Sequence, residues 1–429
     1  MFDKSKALFE RACRIIPGGV NSPVRFFQPH PFFIESGNGS KIFTKEGNAL
    51  TDYCMGYGSV FLGHGNQDVA LAVKSQIDKG NLFCIPTEKE TELAESCNKI
   101  IPSAEMVRIT NTGAEATMHA IRLARAFTKK TKIIKFDGGY HGAFDDVLSK
   151  AGSGASELEQ TDGIPDENTT STITIPYNDM ESLEATINRE KNGNNDIACI
   201  IIEPVLVNSG LILPEIDYLN KVRNITEENN IVLIFDEVVT GFRLALGGAS
   251  EFFGIKADIT TFAKALGNGY PISLITGKKE IMSQLAPSGR VYQASTFAGN
   301  PLSVTASLKT LEILSKNKNL IYPQVSKTCD RIVNGIKDIA HDKEMELTVN
   351  SIGSMFQIFF TKKAVSKYQD VKMSNIAKFS ELFKVLLYNG IFIPPSQFET
   401  CFISTSHNEE DIEKTIESYD NALTKVKTF

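Results

Sequence analysis

An α/β fold is expected for this 429-residue chain: a large domain with a mainly parallel central sheet covered by helices, plus a smaller α+β domain drawn from both chain ends. Two observations lead there. Through the middle of the chain, short apolar runs alternate with helical patterns, which is how parallel strands joined by crossover helices read. Residues 1–65 and 321–429 break that alternation and carry turn-rich material such as Pro17-Gly18-Gly19 and Gly37-Asn38-Gly39. The large domain is then 66–320, with 1–65 as an N-terminal segment contributing to the small domain and the site wall, and 321–429 as the C-terminal small domain.

Five apolar runs define the expected sheet. Met106–Thr110 leads to Asn111-Thr112-Gly113-Ala114-Glu115, and Lys132–Phe136 leads to Asp137-Gly138-Gly139-Tyr140-His141. Ile197–Ile202 leads to Glu203-Pro204, Ile231–Phe235 to Asp236-Glu237, and Ile259–Phe262 to Lys264. Helical patterns cover Ala114–Phe127 and Asp217–Asn229, and a late helix is expected over Met373–Tyr388, ending at Asn389-Gly390. Ligands of parallel sheets sit beyond the carboxyl ends of the strands. The five polar clusters are therefore expected to share one edge. Gly152–Thr172 is polar and aperiodic, which predicts a lid or a disordered loop.

Composition narrows the partners. Net charge is −6 and the basic residues are dispersed, which argues against nucleic acid and acidic membranes. No apolar run approaches the roughly 20 residues of a membrane span. The N-terminus, Met1-Phe2-Asp3-Lys4-Ser5-Lys6, has no apolar signal region, and the seven cysteines include no CxxC. A cytoplasmic protein with reduced thiols is expected. Neither HExxH nor a close His/Cys pairing occurs, so no metal site is expected.

The chemistry centres on an acid and a lysine. Asp236 ends one apolar run, and Lys264 follows another 28 residues later. That pair is what pyridoxal phosphate requires: a lysine amine for a Schiff base and a carboxylate for the protonated pyridine nitrogen. Burial and nearby cations bring a lysine below its ordinary pKa of about 10.4, to where the neutral amine reacts. Asp236 is assigned to the ring and Glu237 is expected to turn away. Thr112, Gly113 and Ala114 open a helix whose positive end suits a phosphate, although a plain N-cap reads the same way. Tyr140 is placed against the ring by stacking, and His141 is read as core packing. Arg25, in Asn21-Ser22-Pro23-Val24-Arg25, suits a carboxylate fork, or a surface ion pair.

With these residues assembled, the chain resembles the fold-type-I, class III aminotransferases nearly end to end, and within them the glutamate-1-semialdehyde aminomutases. The mutase-like segments are Asn21–Arg25, Lys150–Gly154, Glu203–Gly210, Tyr292–Pro301 and Ser396–Glu399. The resemblance implies pyridoxal 5'-phosphate and pyridoxamine 5'-phosphate as cofactors, with Lys264 and Asp236 catalytic. It implies Thr112, Gly113 and Ala114 at the phosphate, Thr296 at the phosphate of a neighbouring subunit, and Tyr140, Asn208 and Val238 near the ring. Ser22, Arg25, Ser153 and Glu399 would face substrate, Glu203 would support the site, and the 152–172 segment would act as a mobile gate. The implied reaction is an intramolecular amino transfer, from C2 to C1, yielding 5-aminolevulinate for tetrapyrrole (porphyrin) synthesis. A homodimer with shared sites is implied, and the upstream enzyme supplying the semialdehyde is a candidate partner.

Three departures stand out. Thr112-Gly113-Ala114 replaces the family's usual Ser-Gly-Thr, so Ala114 offers a phosphate only its backbone. Tyr57 stands where the family commonly has Trp, and the chain has no Trp at all. Gly267-Asn268-Gly269-Tyr270-Pro271 replaces the usual GGGLP. Two alternatives share the same residues: an intermolecular ω-aminotransferase, and a non-catalytic cofactor-binding protein. Nucleotide binding is weaker still, because neither GxGxxG nor GxxxxGK[ST] occurs.

Overall fold

The structure is a computed structural model that describes residues 2–152 and 161–428. Ile197–Ile202 and Val232–Glu237 are buried along their whole length, as befits strands covered on both faces. They lie at the middle of a seven-stranded sheet. Its order is Met106–Thr110, Ser273–Gly277, Ile259–Phe262, Val232–Glu237, Ile197–Ile202, Lys132–Phe136 and Thr172–Ile175. Ser273–Gly277 runs antiparallel to both neighbours, and the remaining pairs are parallel. All five expected strands therefore point the same way and end at one edge. The sequence pattern does not reveal Thr172–Ile175 or Ser273–Gly277. Each is short, and each adjoins a polar or Gly-rich stretch that blurs its boundary.

Alternation decides what packs where. Cys199 and Ile201 face the helix Gly113–Thr128, while Ile200 and Ile202 face the helix Tyr218–Glu228. Gly113–Thr128 presents Ala116, Ala120 and Ala124 to the sheet, and these small side chains let its backbone lie close.

Two smaller sheets use the chain ends. Ile391–Phe392 pairs in parallel with Ala49–Asp52, joining the C-terminal part to the N-terminal hairpin. Thr348–Ile352, Met355–Phe359 and Cys401–Phe402 form the other sheet.

Two local expectations need correction. The late helix ends at Tyr388 as expected but starts at Ile376 rather than Met373, which instead ends a separate short helix, Tyr368–Met373. The break falls at Asn375 because its side chain caps the second helix, accepting from the Lys378 amide at 3.0 Å. The 152–172 stretch is not irregular throughout: Asp166–Thr170 is helical and Thr172 begins a strand. Asp146 anchors that part, its carbonyl accepting from Thr172 Oγ1 at 2.7 Å and its carboxylate from Asn168 Nδ2 at 3.2 Å. Among the described residues no helix is long and apolar enough to cross a membrane.

Candidate active site

Strand register assembles the centre. Asp236 pairs with Thr261, so Lys264 follows three residues beyond that partner at the same sheet edge. Asp236 is buried, and its Oδ1 accepts from the Val238 amide at 3.0 Å and Thr261 Oγ1 at 3.3 Å. Its Oδ2 lies 2.7 Å from His141 Nδ1. Glu237 points elsewhere: it caps the helix Gly248–Phe253, accepting from the Ser250 amide at 2.9 Å and Ser250 Oγ at 2.7 Å.

Lys264 is half-buried with φ +47°, in the left-handed region that L residues other than Asn or Asp rarely occupy. Such backbone strain persists where surrounding structure over-determines it, often at functional sites. Burial lowers its pKa; Glu399, Glu203 and Asp236 act against this, while Arg243 adds to it. The amine is thereby moved toward its reactive neutral form, while three acids act on it electrostatically.

Glu203 directly follows the Ile197–Ile202 strand and is buried. It accepts from the Tyr140 amide at 2.9 Å, the Val207 amide at 3.1 Å and Asn208 Nδ2 at 3.0 Å. Burial, reinforced by the charge of Asp236, pushes its pKa up to about 8. Glu203 thus orients both Tyr140 and Asn208. Burial, together with Glu399 and Asp236, also raises the Tyr140 phenol pKa.

The helix Gly113–Thr128 starts at this edge. Thr112 caps it by accepting from the Glu115 amide at 3.1 Å, which leaves the Thr112 hydroxyl proton free to donate. Glu115 turns back to accept from the Asn111 amide at 2.8 Å, leaving Gly113 and Ala114 amides at the open helix end. A Cβ on Gly113 would lie 2.9 Å from both methyls of Val238, so glycine is required for this close packing.

The N-terminal segment supplies a second wall. Arg25 ends the turn Pro23–Arg25 and lines a cavity of about 510 Å³ with Asn21, Cys54 and Tyr57. Tyr57 donates its hydroxyl to the Val24 carbonyl at 2.5 Å, tying the turn down. Arg25 and Glu399 both interact electrostatically with Tyr57, and Glu399 also with Lys264. Ser22 precedes the turn, and its carbonyl accepts from the Arg25 amide at 3.0 Å. Ser153 lies outside the described residues.

Thr296 is not part of this centre. It is exposed and lines a separate cavity of about 280 Å³ with Leu82, Phe83, Ile85 and Gly299. Its neighbour Ser295 accepts from Asn111 Nδ2 at 2.7 Å, next to the helix start.

Residues 25–423 match the family Aminotransferase class-III. The chain belongs to that family. It is 52% identical over 422 residues to a glutamate-1-semialdehyde 2,1-aminomutase from Nitrosopumilus maritimus, covering 98% of this chain and 99% of the relative. Among solved structures, an omega-transaminase from Sphaerobacter thermophilus superposes with a TM-score of 0.92 at 29% identity, covering 99% of this chain and 98% of that one. A transaminase with PLP bound gives a TM-score of 0.91 at 28% identity, covering 100% of this chain and 99% of that one.

In this class-III aminotransferase, one partner of Asp236 carries no local sequence signal strong enough to name its role. Local pattern places His141 in core packing, but the structure joins it to Asp236. It is fully buried and follows a strand end, and a buried polar ring at a strand end is the signal that marks it. Arg243 is a second residue whose role comes from the fold. It is buried, with Nη1 donating to Ser354 Oγ at 3.1 Å and the Ile403 carbonyl at 3.0 Å, and Nη2 to the Gly58 carbonyl at 2.8 Å. Arg243 thus clamps the N-terminal segment and the C-terminal sheet to the large sheet.

Proposed function

We propose that this chain is a pyridoxal phosphate-dependent aminomutase that converts glutamate-1-semialdehyde to 5-aminolevulinate. The observation that carries the reading is the Lys264 amine, set among Asp236, Glu203 and Glu399 at the sheet edge. The 52% identical mutase supports the choice of substrate.

The residues present fit the cofactor. Gly113 is packed against Val238, and a Cβ on Gly142 would lie 2.6 Å from the Ala114 Cβ, so the helix start is a tight floor that offers backbone amides. Thr112, Gly113 and Ala114 would hold the phosphate, Asp236 the ring nitrogen, and Tyr140, Asn208 and Val238 the ring surroundings. When bound, the cofactor supplies an electron sink and carries the amino group. Lys264 Nζ would take and return the protons at substrate C2 and C1. Arg25 would hold the substrate carboxylate, aided by Ser22 and Ser153, with Glu399 facing the reacting end. Reactant and product are isomers, so no external amino donor or acceptor enters the balance.

A homodimer completes this reading. Thr296 would reach the partner's phosphate site. Exposed apolar residues support an interface here: Phe83, Ile85, Tyr292 and Phe297 surround or adjoin the Thr296 cavity. A cytoplasmic location agrees with seven free cysteines. The same reading divides the chain at residues 65 and 320.

One observation favours a second reading: the omega-transaminase superposes closely along the whole chain. Supplying glutamate-1-semialdehyde without any amino acceptor separates the two. The mutase forms 5-aminolevulinate steadily under those conditions. Turnover that stops until an acceptor is added would assign the chain to intermolecular transfer.

A further inference from the structure

Lys135 stands one residue from the end of Lys132–Phe136 and has no exposed surface. A lysine is rarely buried in this way unless something compensates its charge. Among the described residues no carboxylate pairs with it within 4 Å. Its Nζ instead donates to two carbonyls, Val147 at 2.8 Å and Ser149 at 2.7 Å. Burial pushes its pKa down to about 7, with Asp137 and Glu203 acting the other way. Even the neutral amine keeps two N–H donors, enough for both carbonyls. No step of the proposed reaction uses this group.

What Lys135 grips is a segment pinned along the sheet edge. At its start, Arg125 Nη1 lies 2.7 Å from Asp146 Oδ2. Val147 packs in the core beneath the helix Gly113–Thr128. The Lys150 carbonyl accepts from the Gly138 amide at 3.0 Å, and Lys150 has φ +48°, a strained backbone that needs fixed flanks. At its end Gly152 is pressed into the site. A Cβ there would lie 2.1 Å from the Gly138 carbonyl and 2.3 Å from the Asn208 carbonyl. Asn208 in turn donates to Glu203, which accepts from the Tyr140 amide. A continuous line of contacts therefore runs from Lys135 through 147–152 to Asn208, Glu203 and Tyr140.

The geometry points to Lys135 as a positioning residue, which holds residues 147–149 to the sheet so that Gly152 closes against Asn208 and fixes that wall of the active site. This rests on the reading of the site proposed above. A Met in its place fills the volume and leaves two buried carbonyls without a donor, so the segment is freed while the core stays filled. A Cβ at Gly152 pushes the same segment away from its other end.

The test uses the full-length, cofactor-loaded protein and the variants Lys135→Met, Gly152→Ala and the double variant. Amide exchange over 146–152 is expected to rise by about tenfold or more in Lys135→Met, which removes the donor of two hydrogen bonds, and to rise also in Gly152→Ala, which displaces the segment from its other end, while Met355–Phe359 stays unchanged. KM for the semialdehyde should rise severalfold with kcat nearly constant, and the double variant should be no worse than the more affected single. Exchange equal to the parent, or KM effects that multiply, overturns the proposal. The exchange measurement needs no substrate, so it decides the question even if the semialdehyde proves not to be turned over. Should Lys135→Met fail to fold, Lys135→Gln keeps two N–H donors on a shorter arm; its exchange should be intermediate, and parent-like exchange overturns the proposal.

Discussion

His141 Nδ1 lies 2.7 Å from Oδ2 of Asp236, and both side chains are buried. The two residues stand 95 positions apart in the chain. Burial lowers the His141 pKa; its hydrogen bond to Asp236 and the charge of Asp236 raise it, while Lys135 lowers it further. A neutral imidazole donating from Nδ1 gives Asp236 Oδ2 its partner, while His141 Nε2 is buried without a partner among the described residues. His141 thereby fixes the carboxylate that would face the cofactor ring.

His141→Phe keeps the ring volume and removes that donor. Loss of a hydrogen bond to a charged group costs roughly 1.5–3 kcal/mol, so kcat should fall about 10- to 100-fold with cofactor still bound. Steady-state kinetics and the visible spectrum of the loaded protein measure both. Unchanged kcat would return His141 to a packing role.

Lys264 should carry the cofactor covalently. Borohydride reduction followed by peptide mapping is expected to place the pyridoxyl group there. Lys264→Ala should bind the cofactor without that attachment and lose essentially all turnover, because its neutral amine is both anchor and proton carrier. A label on another lysine contradicts the assignment.

Arg25→Lys keeps the charge but loses the planar fork, so it should raise KM more than it lowers kcat. Tyr57→Phe should show a weaker form of the same split, since the hydroxyl ties down the turn that carries Arg25. A parent-like KM in Arg25→Lys would make Arg25 an ordinary surface cation.

Glu203 should leave a mark on stability against pH. Its folded pKa of about 8 lies above the ordinary 4.5. Between these values the folded chain holds a proton that the unfolded chain has lost, so stability falls as pH rises from about 4.5 to about 8 and then levels. Glu203→Gln is neutral throughout and should flatten the Tm profile across that window. An identical slope in variant and parent would assign the pH dependence to other groups.

Much of this was legible from local pattern. Asp236 and Lys264 each follow a buried apolar run, and a parallel sheet obliges such runs to end at one edge. The helix start at Thr112 was visible because capping residues and a small-residue helix face are local signals. Thr172–Ile175 and Ser273–Gly277 were not visible, because a strand of four or five residues beside Gly or polar stretches carries little periodicity.

The sequence by itself singled out candidate side chains at strand ends and helix starts, since those positions are set by neighbours along the chain. Only the tertiary structure decided which of them meet. Strand order places the Tyr140-His141 loop beside Asp236 across an intervening strand. The parallel pairing of Ile391–Phe392 with Ala49–Asp52 joins the chain ends, while Arg243 bonds both the Gly58 and the Ile403 carbonyl, so Glu399 and Arg25 flank one site. Lys135 is the plainest case: in the run Lys-Ile-Ile-Lys-Phe it looks like a surface cation, and only the fold, by burying it beneath two carbonyls, turns it into an internal tether. The physical reason is common to all three. Local pattern reports which backbone state a residue favours, whereas a long-range hydrogen bond depends on packing between segments that the pattern does not relate.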